Sequence, residues 1–193
     1  MLALQHEPDG IALETTAGLL RAHHAILATG YERARLYLPR AFDLYATYAI
    51  ATKPGTDPLW RENAMIWRAS ENYVYARADV AGRITAGGGD EPCSDARHRD
   101  LLIPEKSAQV ASELGRLVST RIVSHERWVA MFGSSPDGPP AIGRAANSER
   151  LWLASGFGGN GTSFAALASE SIAAELAGAG HPDADAFRPY RFG

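Results

Sequence analysis

Cysteine is nearly absent. The 193-residue chain has one, Cys93, which excludes an internal disulfide and any cysteine-clustered zinc site and leaves a loop thiol as the expectation. Long hydrophobic runs are missing too, since none approaches the ~20 residues of a bilayer-crossing helix. The amino terminus MLALQHEPDG lacks a basic stretch followed by an apolar one, so a cytoplasmic protein with no membrane partner is expected. Charge of one sign is not in excess: 19 Lys and Arg against 22 Asp and Glu give a formal net charge of −3. With both signs mixed along the chain there is no basic stripe for nucleic acid. The six histidines are scattered, and His23 and His24, as strand neighbours, would face opposite sides, so no metal site is expected. What is present, 46% hydrophobic and 21% charged residues, is an ordinary globular composition.

Periodicity and turn chemistry predict the elements. Gly10 to Thr15 and His24 to Thr29 read as a hairpin-like pair of strands around a turn at Ala17-Gly18. Tyr45 to Lys53, YATYAIATK, is a strand broken by Pro54-Gly55. Met65 to Arg68, Tyr73 to Ala78 and Arg83 to Gly87 follow as antiparallel neighbours, linked by turns at Ser70 to Asn72 and Asp79 to Gly82. Between Asp95 and Thr120 the spacing of Ile103, Val110, Leu114 and Leu117 is helical, with Pro104 suited to a first turn and a shorter helix ahead of it. Arg121 to Phe132 reads as a strand, Gly133 to Gly143 as a loop, Leu151 to Ser155 as a buried strand, and Thr162 to about Ala177 as an alanine-rich helix that packs closely in an interior.

The chemistry concentrates in LWLASGFGGNGTSFAALASESIAAEL, a strand, a loop with four glycines and a helix without charge until Glu170. Glycines let backbone approach a flat or anionic group, and a helix amino terminus offers unpaired N–H donors and partial positive charge. A plain strand-to-helix turn has the same spacing, and GFGGNG is not the GxGxxG dinucleotide fingerprint.

Five segments, in order, resemble the FAD-dependent oxidoreductases related to D-amino acid oxidase, glycine oxidase and sarcosine oxidase. Ala25 to Tyr31, containing Thr29 and Gly30, resembles a flavin-domain strand ending in Ala-Thr-Gly beside the cofactor. Tyr73 to Arg77 with RITAGGGDE, Arg83 to Glu91, resembles the substrate-domain hairpin. Trp128 to Phe132 with Pro136-Asp137-Gly138 and Pro140 to Gly143 resembles the strand and loop over the flavin ring. Gly156, Phe157, Gly158, Gly159, Asn160, Gly161 and Thr162 resemble the last flavin loop, and Arg191-Phe192 the usual ending. The resemblance implies FAD, hydride transfer from a carbon bearing an amine to the flavin, and contacts to flavin from Thr29, Gly30, Asp137 and Gly156 to Thr162. A positive helix end beside the pyrimidine edge would stabilise the negative charge of reduced flavin.

Two departures bear on substrate. Where the resemblance implies an arginine holding a substrate carboxylate, Met131 and Phe132 stand, which favours an amine or an amino acid held by another group. Arg77 is the substitute anchor on offer, and a surface or interdomain salt bridge is its competing reading. Serines stand where sarcosine oxidases carry a flavin-linking cysteine, so noncovalent FAD is expected. Tyr73 and Tyr75 share a strand face and could line a substrate pocket, or be buried tyrosines with bonded hydroxyls. Asp90-Glu91 reads as a solvated turn.

The expected fold is α+β. A mostly antiparallel substrate-domain sheet with flanking helices, residues 45–135, lies between two pieces of an α/β FAD-binding domain, residues 1–44 and 136–193. The dinucleotide fingerprint is not found in the sequence. The chain is therefore expected to be a carboxyl-terminal portion that self-associates or pairs with an amino-terminal half, acting as an oxidoreductase with it or, alternatively, as an inert module.

Overall fold

The computed structural model describes residues 3–31, 37–57, 59–70, 72–93, 95–146 and 148–192. Glu71, within the turn predicted at Ser70 to Asn72, lies outside them. The fold is α+β and divides into two compact units: unit 1 is Met1–Asp43 with Phe132–Gly193, and unit 2 is Leu44–Met131.

Unit 1 opens with an antiparallel meander of β1 (Ala3–Glu7), β2 (Gly10–Thr15) and β3 (Gly18–Ala22). The Ala17-Gly18 turn forms as expected, with the Thr15 hydroxyl bonded to the Gly18 carbonyl at 2.8 Å and receiving the Ala17 N–H at 3.1 Å. The strand it returns is β3, not His24 to Thr29. A tight turn fixes its register immediately, so Gly18 pairs with Thr15 and Ala22 with Ile11. The second predicted strand is instead the short β4 (Ala25–Leu27), which runs parallel to a strand far along the chain.

Unit 2 supplies β5 (Asp43–Ala51), β6 (Ile66–Arg68), β7 (Val74–Ala78), β8 (Ile84–Pro92), α1 (Ala96–Leu101), α2 (Ile103–Val118) and β9 (Glu126–Ser134), the last ending in unit 1. Its sheet has the order β6-β7-β8-β5-β9. The Asp95 side chain caps α1 by accepting the Arg97 N–H, and Pro104 sits in the first turn of α2, where its missing N–H costs nothing. The apolar stripe of α2 buries Val110 and Leu114 against Ile50, Val74, Ala76, Ile84 and Ala86. By strand alternation Tyr73, Tyr75, Arg77, Thr85, Ala49 and Ala51 lie on the sheet face opposite α2.

The chain then completes unit 1 with β10 (Ala141–Arg144), β11 (Leu151–Ser155) and α3 (Gly161–Leu176). β11 pairs antiparallel with β10 and parallel with β4, Leu151 opposite Ala25 and Leu153 opposite Leu27. β10 was expected as loop: Gly143, at φ 140°, leaves little room for a strand pattern to show in four residues. Ile11, Ala25, Leu27, Leu151 and Leu153 form one core cluster, and Ile142 and Trp152 with Ala168 and Ile172 of α3 form another. The expectation of an interior α3 holds for one face. Ala168, Ser171 and Ile172 are buried, while Ala165, Ala166, Ser169 and Ala173 are exposed. No helix among the described residues is long and apolar enough to cross a membrane.

Candidate functional site

In unit 1 the strand β11 delivers the chain into the glycine loop. Gly156 has φ 73°, and a Cβ on it would overlap the Phe42 ring, so both conformation and space demand glycine here. The loop is then pinned by backbone: Gly158 N–H donates to the Gly133 carbonyl at 2.9 Å, and Phe157 N–H donates to the Tyr31 hydroxyl at 3.1 Å. Gly158, Gly159 and Gly161 differ from Gly156, because a Cβ on any of them would meet nothing within 4 Å. Asn160 precedes α3 without capping it through its side chain. The first amides of that 16-residue helix thus keep their donors and the positive end of the helix dipole for an outside acceptor. Thr29 and Gly30 are exposed, Gly30 at φ 66° with open space beyond it.

Asp137, implied as a flavin contact by the resemblance, is paired with Arg191. Both of its oxygens are taken by Arg191 in a forked pair, Nε to Oδ2 at 2.7 Å and Nη2 to Oδ1 at 2.7 Å. The same guanidinium donates to the carbonyls of Pro139 (2.6 Å), Pro140 (2.9 Å) and Arg188 (3.0 Å), and packs over Phe192 at 4.6 Å. Ser135 closes the turn by donating to the Pro139 carbonyl at 2.7 Å. The hydrogen bonds from Arg191 hold the Asp137 carboxyl down to about 2. Arg191 therefore fixes the Ser135 to Pro140 loop. The sequence marks Arg191 only as part of an ending; besides Asp137 its acceptors are backbone carbonyls, which leave no mark on residue identity.

In unit 2, Tyr73, Tyr75 and Arg77 share the sheet face turned away from α2. The Tyr75 ring lies across β8 at Gly87, where a Cβ would overlap its hydroxyl and ring carbons. The Tyr73 and Tyr75 rings are nearly parallel, 20° apart with centroids at 6.4 Å. Tyr73 donates its hydroxyl proton to Asp90 Oδ2 at 2.5 Å. Burial first, then this bond, push the Tyr73 phenol well above its usual range, and burial followed by the Asp90 charge does the same for Tyr75. Both phenols are neutral donors near neutrality, not bases. Arg77 is exposed, and among the described residues no carboxylate pairs with it.

Asp90-Glu91 is not a solvated turn. β8 continues through Pro92, and a register shift against β5 falls between Ala46 and Tyr48. Gly88 (φ 151°) and Gly89 (φ 66°) absorb the extra residue. The bulge turns Asp90 toward Tyr73 and sends Glu91 to the helix side, where it pairs with Lys106 of α2. The triple glycine in GGGDE was the available signal. Met131 also departs from expectation. It packs with Val129 against Ala46, Tyr48 and Cys93, on the α1 and α2 side, leaving Trp128 and Ala130 to the opposite face. Cys93 lies in the loop between β8 and α1, as expected, and its free thiol is buried in that core.

Similarity to known proteins agrees with this geometry. The family model described as FAD dependent oxidoreductase matches residues 2–176. Glycine oxidase from Geobacillus kaustophilus superposes at a TM-score of 0.73 and 17% identity, covering 97% of this chain and 50% of its own. L-proline dehydrogenase from P. horikoshii does so at a TM-score of 0.73 and 20% identity, covering 98% and 52%. At these identities the likeness is one of fold, and the chain spans about half the length of either structure. Among curated proteins, the tRNA 5-methylaminomethyl-2-thiouridine biosynthesis bifunctional protein MnmC of Polaromonas naphthalenivorans (strain CJ2) is 38% identical over 66 residues, 32% of this chain and 10% of that protein.

Proposed function

Because the chain belongs to the FAD dependent oxidoreductase family, we propose that it forms the flavin-edge and substrate-facing part of an enzyme that oxidises a carbon–nitrogen bond of an amine or amino acid. The observation that carries this reading is the glycine loop of unit 1, with open space over Gly158, Gly159 and Gly161 and an uncapped α3 terminus beside it. These residues fit an isoalloxazine edge: glycines allow a flat ring to approach backbone, and the α3 amides suit carbonyl oxygens that gain negative charge. Bound FAD would supply the acceptor for the two electrons leaving the substrate carbon.

The residues of this chain position and polarise. Tyr31 and Gly133 hold the loop in register through Phe157 and Gly158. The Asp137–Arg191 fork keeps the neighbouring loop in one shape. Thr29 and Gly30 supply exposed backbone and a hydroxyl on the cofactor side. Unit 2 is the substrate side, with Tyr73 and Tyr75 as neutral hydroxyl-bearing walls. Arginine stands at neither Trp128 nor Ala130, so an anchor for a substrate carboxylate falls to Arg77. The exposed Leu19, Leu20 and Ile26 on β3 and β4 suit burial by an amino-terminal partner half or a second copy.

Anaerobic addition of primary and secondary amines and amino acids to the flavin-loaded protein tests the reading. Bleaching of the flavin band by members of this series, and not by 2-hydroxy acids, is expected. A preparation that retains no flavin, or flavin that none of the amines reduces, overturns it.

A further inference from the structure

We propose that the hollow of unit 2 between residues 52–56 and residues 121–125 is a binding site for a phosphate monoester carried on a small apolar group. The inference goes beyond the oxidoreductase reading and does not need it, because every group involved lies within unit 2 and none has been given to flavin or to an amine substrate.

The walls come first. Thr52, just past the end of β5, is the hub of one: its hydroxyl accepts the Ile84 N–H at 3.0 Å, Thr56 donates its hydroxyl proton to the Lys53 carbonyl at 2.7 Å, and the Gly55 N–H donates to the Ala81 carbonyl at 2.7 Å. The other wall is tied at its two ends, where the Thr120 N–H donates to the Gly115 carbonyl at 3.0 Å and the His125 N–H to the Ala51 carbonyl at 2.7 Å. Gly115 lets the chain pass this close, since a Cβ on it would lie 2.8 Å from the Thr120 carbonyl oxygen. Between the ties, Ile122 packs against the core that α2 closes. Donors are left over. The N–H groups of Arg121, Ile122, Val123 and Ser124, and the hydroxyls of Thr120 and Ser124, have no acceptor among the described residues.

The charge comes second. The hollow has a volume of ≈ 370 Å³, room for a small organic ligand. Among the described residues that line it, Lys53, Arg121 and His125 bring basic side chains and none is acidic. No carboxylate pairs with any of these three among the described residues. Glu126, the acid next in sequence to His125, is engaged by Arg83 at 3.5 Å. The neighbouring hollow, on the α2 side of residues 119–124, is different. Its Arg116 is paired with Glu113 at 2.6 Å, so the positive charge there is already answered from within the protein.

The ligand follows from the donor set. Uncompensated cations beside unpaired N–H and O–H groups call for an anion with many acceptor oxygens. A carboxylate offers two oxygens and one charge, whereas a phosphate monoester offers three terminal oxygens and up to two charges, which match a guanidinium, an ammonium and the spare donors together. Leu59 and Ile122 add apolar surface to the same hollow, which favours an ester with an apolar substituent over the free ion.

The test titrates the full chain, without added flavin and at fixed ionic strength, with three probes: phenyl phosphate, inorganic phosphate and phenol. The readout is the NMR signals of the amides of residues 121–125. Phenyl phosphate should shift them saturably, inorganic phosphate should bind about fivefold more weakly, and phenol should give no saturable shift. Lys53 and Arg121 are exposed, and the double variant Lys53→Gln with Arg121→Gln should weaken phenyl phosphate about tenfold or more. The comparison of probes on the unaltered chain stands even if the variant does not fold. No saturable shift with phenyl phosphate, an equal response to phenol, inorganic phosphate binding as tightly as the ester, or full ester affinity in the folded double variant would each overturn the proposal. None of these outcomes bears on flavin binding or amine oxidation.

Discussion

Unit 2 is one uninterrupted stretch of chain, Leu44–Met131, while unit 1 is assembled from two segments separated by all of unit 2. The difference shows in how each builds its core. In unit 2, β6, β7 and β8 pair as sequential antiparallel neighbours, and a strongly amphipathic α2 closes one face. In unit 1, the pairing that matters most is β4 with β11, parallel and remote in sequence, and α3 is apolar on nearly all sides yet buried on only one. Unit 1 compensates with point fastenings: Gly156 under Phe42, Tyr31 on Phe157, and Arg191 on Asp137 and three carbonyls. A local fold can present a face for a ligand, whereas a fold assembled from distant pieces needs its loops individually tied before it can present one.

The largest effect that can break this comparison is in the unit 2 core. Leu114 is fully buried, so Leu114→Ala should cost about 3 kcal/mol, within the ~2–5 usual for such truncations. Hydrogen exchange should quicken in β7, β8 and α2 while β10 and β11 keep their protection. Equal loss in both units would mean that they do not respond separately. Next comes Gly156→Ala, which combines a left-handed backbone penalty of ~1–2 kcal/mol with overpacking against Phe42. A loss of about 2–3 kcal/mol in denaturant unfolding, read at Trp152, is expected, and a change below about 0.5 kcal/mol would show that the loop is not fastened as described. Smaller still is Asp137→Asn. The Asp137 side chain is 40% exposed, so solvent screening limits its pair with Arg191 to about 1 kcal/mol. Its carboxyl sits at about 2 when folded against 3.8 when unpaired, so the stabilisation is complete above pH 4 and is lost as pH falls toward 2. Acid unfolding curves of the unaltered chain should lose stability over that window, and the Asn variant should lack that part of the slope.

Much of unit 2 was legible because its signals are local. Turn residues separate short β-branched strands, and Ile103, Val110, Leu114 and Leu117 announce α2 within one span. The bulge at Gly88-Gly89 was not, since a run of glycines reads equally as turn or as strand, and only the register against β5 decides. That ambiguity hid the role of Asp90 and shortened β8. Met131 was assigned to a substrate wall by position, but a face is set by strand phase, and the core around Tyr48 and Cys93 fixes that phase. In unit 1, the glycine loop and α3 stood out in the sequence. The partner of β4 did not, because parallel pairing depends on which distant strand shares its core. Arg191 was visible as a residue and invisible as a clamp, its acceptors being mostly carbonyl oxygens.

The central claim is that the glycine loop of unit 1 receives the flavin ring, and Gly159→Leu tests it most directly. A Cβ placed at Gly159 meets no protein atom within 4 Å and needs no left-handed backbone, so a side chain can leave the backbone there without a clash and folding should be unaffected. That side chain would occupy the space assigned to the ring. Measured by flavin fluorescence titration beside a denaturation curve, the account predicts an unchanged unfolding midpoint with FAD affinity weakened tenfold or more. A variant that folds the same and binds FAD as tightly as the unaltered protein would contradict it.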